Sequence, residues 1–178
     1  GRMYGNNQLP QAWQLLDLCP ENLRNWEWHY LDQLRQGENQ PLGKHSEWVT
    51  SVEFLPNQRL ATADISGEIR IWNLEGRNQE RAWRCPRGVM NLAAHPERDL
   101  LAVADSQSVT IWESESGAVI YQVPGAALFA EFSNDGSLLA VAIGSFIQVL
   151  DTRTWEPVCE LTGHESRILH GTFDPSGN

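Results

Sequence analysis

The side chains with which this 178-residue chain could do chemistry are five histidines, three cysteines, scattered acids and one exposed-looking tryptophan in a polar lead-in, Trp48. Metal ligation needs several donors converging on one point. His164 and His170 stand six apart, a separation that on strands does not aim two imidazoles at one ion, and no third donor lies near them. Cys19, Cys85 and Cys159 are odd in number and widely spaced, so they form neither a disulfide framework nor a CxxC pair and read as buried thiols. No GxSxG turn exists and no cysteine sits in a nucleophile context. The chain is therefore expected to be no enzyme, with no catalytic residue, no metal and no cofactor.

Binding chemistry is better represented. Asp64 and Asp105 occupy matching places after similar strands, where a carboxylate either meets a ligand or caps its own turn. Trp48 stands just ahead of an apolar run, and aromatic side chains on rigid loops serve as interface anchors; the alternative is packing under a neighbouring loop. Partner-binding residues are placed at Trp48, Asp64, Asp105 and Arg167. Arg77, Arg81, Arg84 and Arg87 crowd one polar stretch, where they either dock an acidic partner or guard an edge strand against aggregation; the guard is the better reading. Net charge is −10 and lopsided: residues 1–99 hold 13 acids against 11 bases, residues 100–178 hold 10 against 2. Nucleic acid is a poor partner for such a surface, because phosphates need a basic face. No apolar run reaches the roughly 18 residues that span a bilayer, and residues 1–10 lack a signal-peptide core, so a soluble, cytoplasmic chain is expected unless a parent protein carries a membrane helix.

The elements that must position these residues recur. "IRIW" ends at Trp72, "VTIW" at Trp112 and "IQVL" at Leu150, at spacings of 40 and 38. Phe54, Ala94, Phe132 and Phe173 follow at 40, 38 and 41, and Leu60, Leu101 and Leu139 at 41 and 38. Three anchors in phase define units at 43–76, 77–117 and 118–158, with an incomplete one at 159–178. The first reads as strands "VTSVEFL", "RLATA", "EIRIWN" and a more polar "ERAWRC". In "EIRIW", Ile69 and Ile71 share one face while Arg70 and Trp72 share the other, so both faces are partly apolar and each sheet must be sandwiched between neighbours.

These units resemble WD40-repeat β-propellers, whose repeat carries Gly-His early and Trp-Asp at the end of its third strand. "GHESRI" holds Gly163-His164, and "GKHSEWV" holds His45 four residues before Val49, closing on "IWN". The resemblance implies a buried hydrogen-bond chain of a histidine, a Ser or Thr on the second strand, a turn Asp and the tryptophan. Carried onto the first unit it gives His45, Thr62, Ser66 and Trp72, with the turn Asp missing and the network partial; His164 is its counterpart in the last unit. Cys85 and Pro124 hold the matching places of the middle units, and the third ends in Leu150-Asp151, leaving packing to hold those blades.

Residues 1–37 do not repeat. Leu23, Trp26, Tyr30 and Leu34 share a helical stripe, and two helices joined at Pro20-Glu21 are expected, with Trp26 and Trp28 as their contact to the blades. "LLDLCPENLRNWEWHYLDQL" resembles a segment preceding the propeller in bacterial serine/threonine protein kinases with WD repeats, although no Gly-rich loop, HRD or DFG is present here. The expected fold is thus all-β: a partial WD40-type propeller of about three and a half four-stranded antiparallel blades at 38–178 behind a helical hairpin at 1–37. The expected function is a non-catalytic scaffold binding proteins or peptides, or else the regulatory tail of such a kinase. Closed propellers use roughly four to eight blades, so further blades or a second copy must close the ring.

Overall fold

A computed structural model describes residues 14–20, 23, 24, 28, 31, 32 and 41–174. The chain divides into two units, Gly1–Pro41 and Leu42–Asn178. In the first, residues 14–17 form a short helix. Trp28 Nε1 donates to the Leu16 carbonyl at 2.9 Å, and the Arg24 guanidinium lies over the Trp28 ring at 4.5 Å. Trp28 is thereby engaged within its own unit, while Leu23 is exposed. Trp26, Tyr30 and Leu34, the rest of the expected stripe, lie outside the described residues.

The second unit is three antiparallel meanders, and the repeat spacing sets their strands. β1 (Val49–Leu55), β2 (Arg59–Asp64), β3 (Glu68–Asn73) and β4 (Asn78–Arg84) form the first sheet. The second is β5 (Val89–Ala94), β6 (Leu100–Asp105), β7 (Ser108–Glu113) and β8 (Val119–Pro124). The third is β9 (Ala127–Phe132), β10 (Leu138–Ile143), β11 (Phe146–Asp151) and β12 (Pro157–Leu161). β4, the fourth strand expected of the first unit, and β8 lie just past the boundaries at 76 and 117, and β12 straddles that at 158, yet each hydrogen-bonds to the strand before it. A hairpin turn joins each to its predecessor, and local pairing decides the sheet.

Trp72 pairs with Leu60, Trp112 with Leu101 and Leu150 with Leu139, so the sequence anchors occupy one register position in all three sheets. The irregularities repeat as well. A bulge falls near the start of each inner strand, at Val49/Ser51, Val89/Asn91 and opposite Ala142/Ile143, and another follows Ile71, Ile111 and Val149. β1 packs beside β5, and β5 beside β9, leaving β4, β8 and β12 as outer edges.

Burial follows from the two-faced strands. Ile69, Ile71, Ala61 and Ala63 of the first sheet meet Leu92, Leu101, Val103 and Trp112 of the second. Ala102, Val109 and Ile111 on the far face of the second meet Phe132, Leu139, Val141 and Leu150 of the third. The ring is not closed. On the first sheet's outer face Val52 and Phe54 are exposed, the latter 74%. On the third, Leu138, Ala140, Ile147 and Val149 line an apolar hollow only partly covered by residues 171–173. The strand expected at "GTFDPSG" is absent through residue 174: Ile168 N–H donates to Gly144 O and Thr172 Oγ1 to Glu131, but with no second strand beside it no ladder forms.

Candidate functional site

The most ordered polar structure lies where the lead-in 43–48 crosses the end of β2. His45 Nδ1 stands 3.0 Å from Asp64 Oδ2, and His45 Nε2 stands 2.7 Å from Thr62 Oγ1, which Trp72 Nε1 approaches at 2.8 Å. An ionised carboxylate only accepts, so Nδ1 carries a proton, and in the neutral imidazole Nε2 is then the acceptor. The bonds then run one way: Trp72 N–H to Thr62 oxygen, Thr62 O–H to Nε2, Nδ1–H to Asp64. Every donor is used.

The carboxylate in this chain corrects the sequence reading. Asp64, the last residue of β2, fills the place left vacant in the turn, because from two positions ahead of Ser66 it reaches both the turn and the imidazole. Its Oδ1 accepts from Ser66 N–H at 2.9 Å, Ser66 Oγ at 2.7 Å and Glu68 N–H at 3.1 Å. Burial opposes ionisation, but the hydrogen bonds from Ser66, His45 and Glu68 outweigh it and hold the carboxyl down at about 2. Ser66 is thus a ligand of the carboxylate and not a link between His45 and Trp72.

Acid, imidazole and hydroxyl in this order is also how a nucleophilic triad is wired. Here Thr62 is buried and its oxygen already holds the Trp72 N–H, so no substrate carbonyl has access to it. The same region draws His45, Asp64 and Glu68 within 4.8 Å of one another, a metal-like grouping. Hydrogen bonds account for all three: Nδ1 is spent on Asp64, and Arg70 Nη2 donates to both Glu68 oxygens at 3.1 Å.

This buried chain supports a surface. Ile65 N–H donates to the Trp48 carbonyl at 3.0 Å, tying the lead-in to the β2–β3 turn. Gly67, at φ +93°, lies under the backbone of the 85–88 loop, where a Cβ would come within 2.4 Å of Arg87 O; a Cβ on Gly88 would meet Ile65 O at 2.2 Å. Thr50 Oγ1 donates to Val89 O at 2.8 Å. Three loops therefore interlock, and Trp48 stands on them 82% exposed. It does not pack beneath a neighbouring loop.

The other expected binding residues fare differently. Asp64 is fully buried, and Asp105 is nearly so, its Oδ1 accepting from the Gln107 and Ser108 amides at 2.6 and 2.9 Å. Both carboxylates are consumed by their own turns, which removes them from the partner face. Arg167 and His164 are exposed in the segment after β12, and His164 makes no hydrogen bond among the described residues, so no second histidine chain is present there. Of the four arginines taken as an edge guard, Arg81 and Arg84 lie on β4, whereas Arg77 lies in the preceding turn and Arg87 in the 85–88 loop beside Gly67. Of the three cysteines expected to be buried, Cys85 in the loop after β4 is, whereas Cys19 is half-buried and Cys159 exposed; in the middle sheet Val103 stands where Thr62 does, and Trp112 Nε1 has no partner. The Trp112 ring stacks on Trp83 at 6.2 Å instead. Not singled out by sequence, Glu53 and Glu131 share a cavity of about 290 Å³ along the inner strands with Asn91, His170 and Thr172. Burial, with the Glu131 charge, raises the Glu53 carboxyl.

Comparison with known proteins agrees with this geometry. Residues 38–73 match the family model "WD domain, G-beta repeat". A p21-activated protein kinase-interacting protein 1-like protein of Xenopus laevis is 24% identical over 170 residues, 93% of this chain and 44% of that protein. A ribosome biogenesis protein BOP1 homolog of Leishmania braziliensis is 34% identical over 73 residues, 40% of this chain and 10% of that protein. The solved structures "Structure of U3-55K" and "Crystal structure of RRP9 WD40 repeats" each superpose at a TM-score of 0.65 with 19% identity, over 71% of this chain and 42% of theirs. The chain thus spans less than half the length of these relatives. With residues 38–73 matching the WD-repeat model and three unclosed four-stranded meanders that superpose on WD40 structures, the blades have the fold of a partial WD40-type β-propeller.

Proposed function

We propose that this chain is a non-catalytic scaffold that binds proteins or peptides through the loop face bearing Trp48. The observation that carries this reading is a large aromatic side chain, 82% exposed, on loops fixed by the buried His45 chain and by two glycine close approaches. A rigid aromatic anchor loses little entropy on binding, and such residues dominate interface energetics. Further blades complete the ring in this reading, in keeping with the greater length of the relatives. Regulation of a bacterial protein kinase rests only on the resemblance of residues 15–34, much of which lies outside the described residues.

The test is selection of displayed peptides on the immobilised chain, followed by titration of the enriched peptides against Trp48→Ala. Removal of a central anchor costs about 2 kcal/mol or more, so binding should weaken at least about thirtyfold while the melting temperature is unchanged. Enriched peptides that bind the variant as tightly would place recognition elsewhere.

A further inference from the structure

We propose that the notch between the first and second blades selects an extended peptide in which an apolar side chain stands next to a carboxylate. This rests on the scaffold reading and names its ligand class. The apolar wall is Trp48, Ile65 and Met90, exposed 82%, 45% and 38%. Their backbones adjoin: Ile65 N–H bonds the Trp48 carbonyl, Ile65 O touches Gly88, and Met90 follows Val89, whose carbonyl holds Thr50. The bulge at Val89/Asn91 leaves Met90 out of the ladder register. Its counterpart after β1 begins is Thr50, tied down by that hydrogen bond, whereas Met90 is free to follow a ligand's shape.

Two arginines stand near this wall, and the exposed Glu47 precedes Trp48 in the chain. Arg84 reaches the Ser66 hydroxyl at 3.4 Å, and Arg87, 41% exposed at its side chain, has Asp105 Oδ2 at 4.0 Å, the limit of an ion pair. The Arg84 guanidinium lies at the 64–67 turn and that of Arg87 lies towards Asp105 at the end of β6, and both leave N–H donors for a carboxylate, which arginine binds in a planar fork. The chain carries −10 overall, with two bases among residues 100–178. Long-range attraction alone would gather basic peptides. Within a Debye length of about 8 Å, however, the nearest charges decide.

The probe is an array of immobilised nonapeptides with a central Leu, Ile, Met or Phe flanked on both sides by Glu, Lys or Ser, incubated with the full chain at physiological salt. Glu-flanked peptides should be retained at least tenfold above Lys-flanked ones. The double charge reversal Arg84→Glu with Arg87→Glu, checked for an unchanged melting curve, should invert that order, and Trp48→Ala should abolish retention of all three sets. Equal retention whatever the flanking charge, or a preference for Lys, overturns the ligand class while leaving the scaffold intact. Retention of no peptide overturns both.

Discussion

At the residue scale, Asp64 carries the most connected role. One carboxylate caps the β2–β3 turn and holds the proton of His45, whose other nitrogen takes the Thr62 hydroxyl. Its carboxyl, held at about 2 against an ordinary 3.8, binds a proton less readily folded than unfolded. The contribution is fully present above about pH 4 and is lost as pH falls toward 2. Asp64→Asn should therefore cost about 1–3 kcal/mol at neutral pH, the range for losing a charged, buried acceptor, and the gap to the unsubstituted chain should close between pH 4 and 2. Urea midpoints across that range, with Asp135→Asn as the exposed comparison, measure this. Asp135 is also held at about 2, by Ser133 and Ser137, but at the surface. A gap constant with pH would show that the Asp64 charge contributes nothing.

At the scale of the element, the blades share a frame and differ in what fills it. Leu92 N–H bonds Ser51 Oγ at 3.0 Å, and Ala130 N–H bonds Asn91 Oδ1 at 2.9 Å, stitching each inner strand to the next. The third sheet has Phe129 at that position, which packs on Ile168 instead. Equivalent positions also predict how substitutions transfer. Val103 and Trp112 stand where Thr62 and Trp72 do, and the Trp112 N–H lacks an acceptor. Burying a hydroxyl in place of a valine methyl is ordinarily unfavourable. Val103→Thr supplies the missing acceptor, so its cost should be under about 0.5 kcal/mol or its effect stabilising, while Val141→Thr, clustered with a Leu150 that has nothing to donate, should cost about 1–3 kcal/mol. Equal losses in chemical denaturation would show that Trp112 cannot turn to the new hydroxyl.

At the scale of the molecule, the unclosed ring fixes which face of each blade is core. Phe54 and Phe132 hold the same position in sheets one and three, yet the first is 74% exposed and the second 5%. Phe54→Glu should change stability by less than about 0.5 kcal/mol and raise the concentration at which the chain self-associates in light scattering, since it places charge on an uncovered apolar face. Phe132→Glu buries that charge beside Leu139 and should abolish the cooperative thermal transition. If Phe54→Glu is as damaging, the first sheet's outer face is covered in solution. Among the outer strands, β4 carries Glu80, Arg81 and Arg84, whereas β8 shows Val119, Ile120 and Tyr121 without a charge, so the guard against edge pairing is uneven.

Strand positions, repeat length and the alternation of Ile69 and Ile71 against Trp72 were determined by sequence alone, because a period of two within a strand and of about 40 between blades is written in residue order. The tie of His45 to Thr62 could likewise be located by matching one repeat to another. Three matters waited for tertiary structure. Which residue supplies the carboxylate depended on side-chain reach, and Asp64 serves from a position where alignment shows none. Whether Trp48 and Met90 face solvent depended on bulges and on glycines that let three loops interlock. Whether Arg87 stands on the edge strand or in the loop beyond it depended on where β4 ends. Each is a contact between residues distant in the chain or a local departure from regular geometry, and neither leaves a periodic trace in sequence.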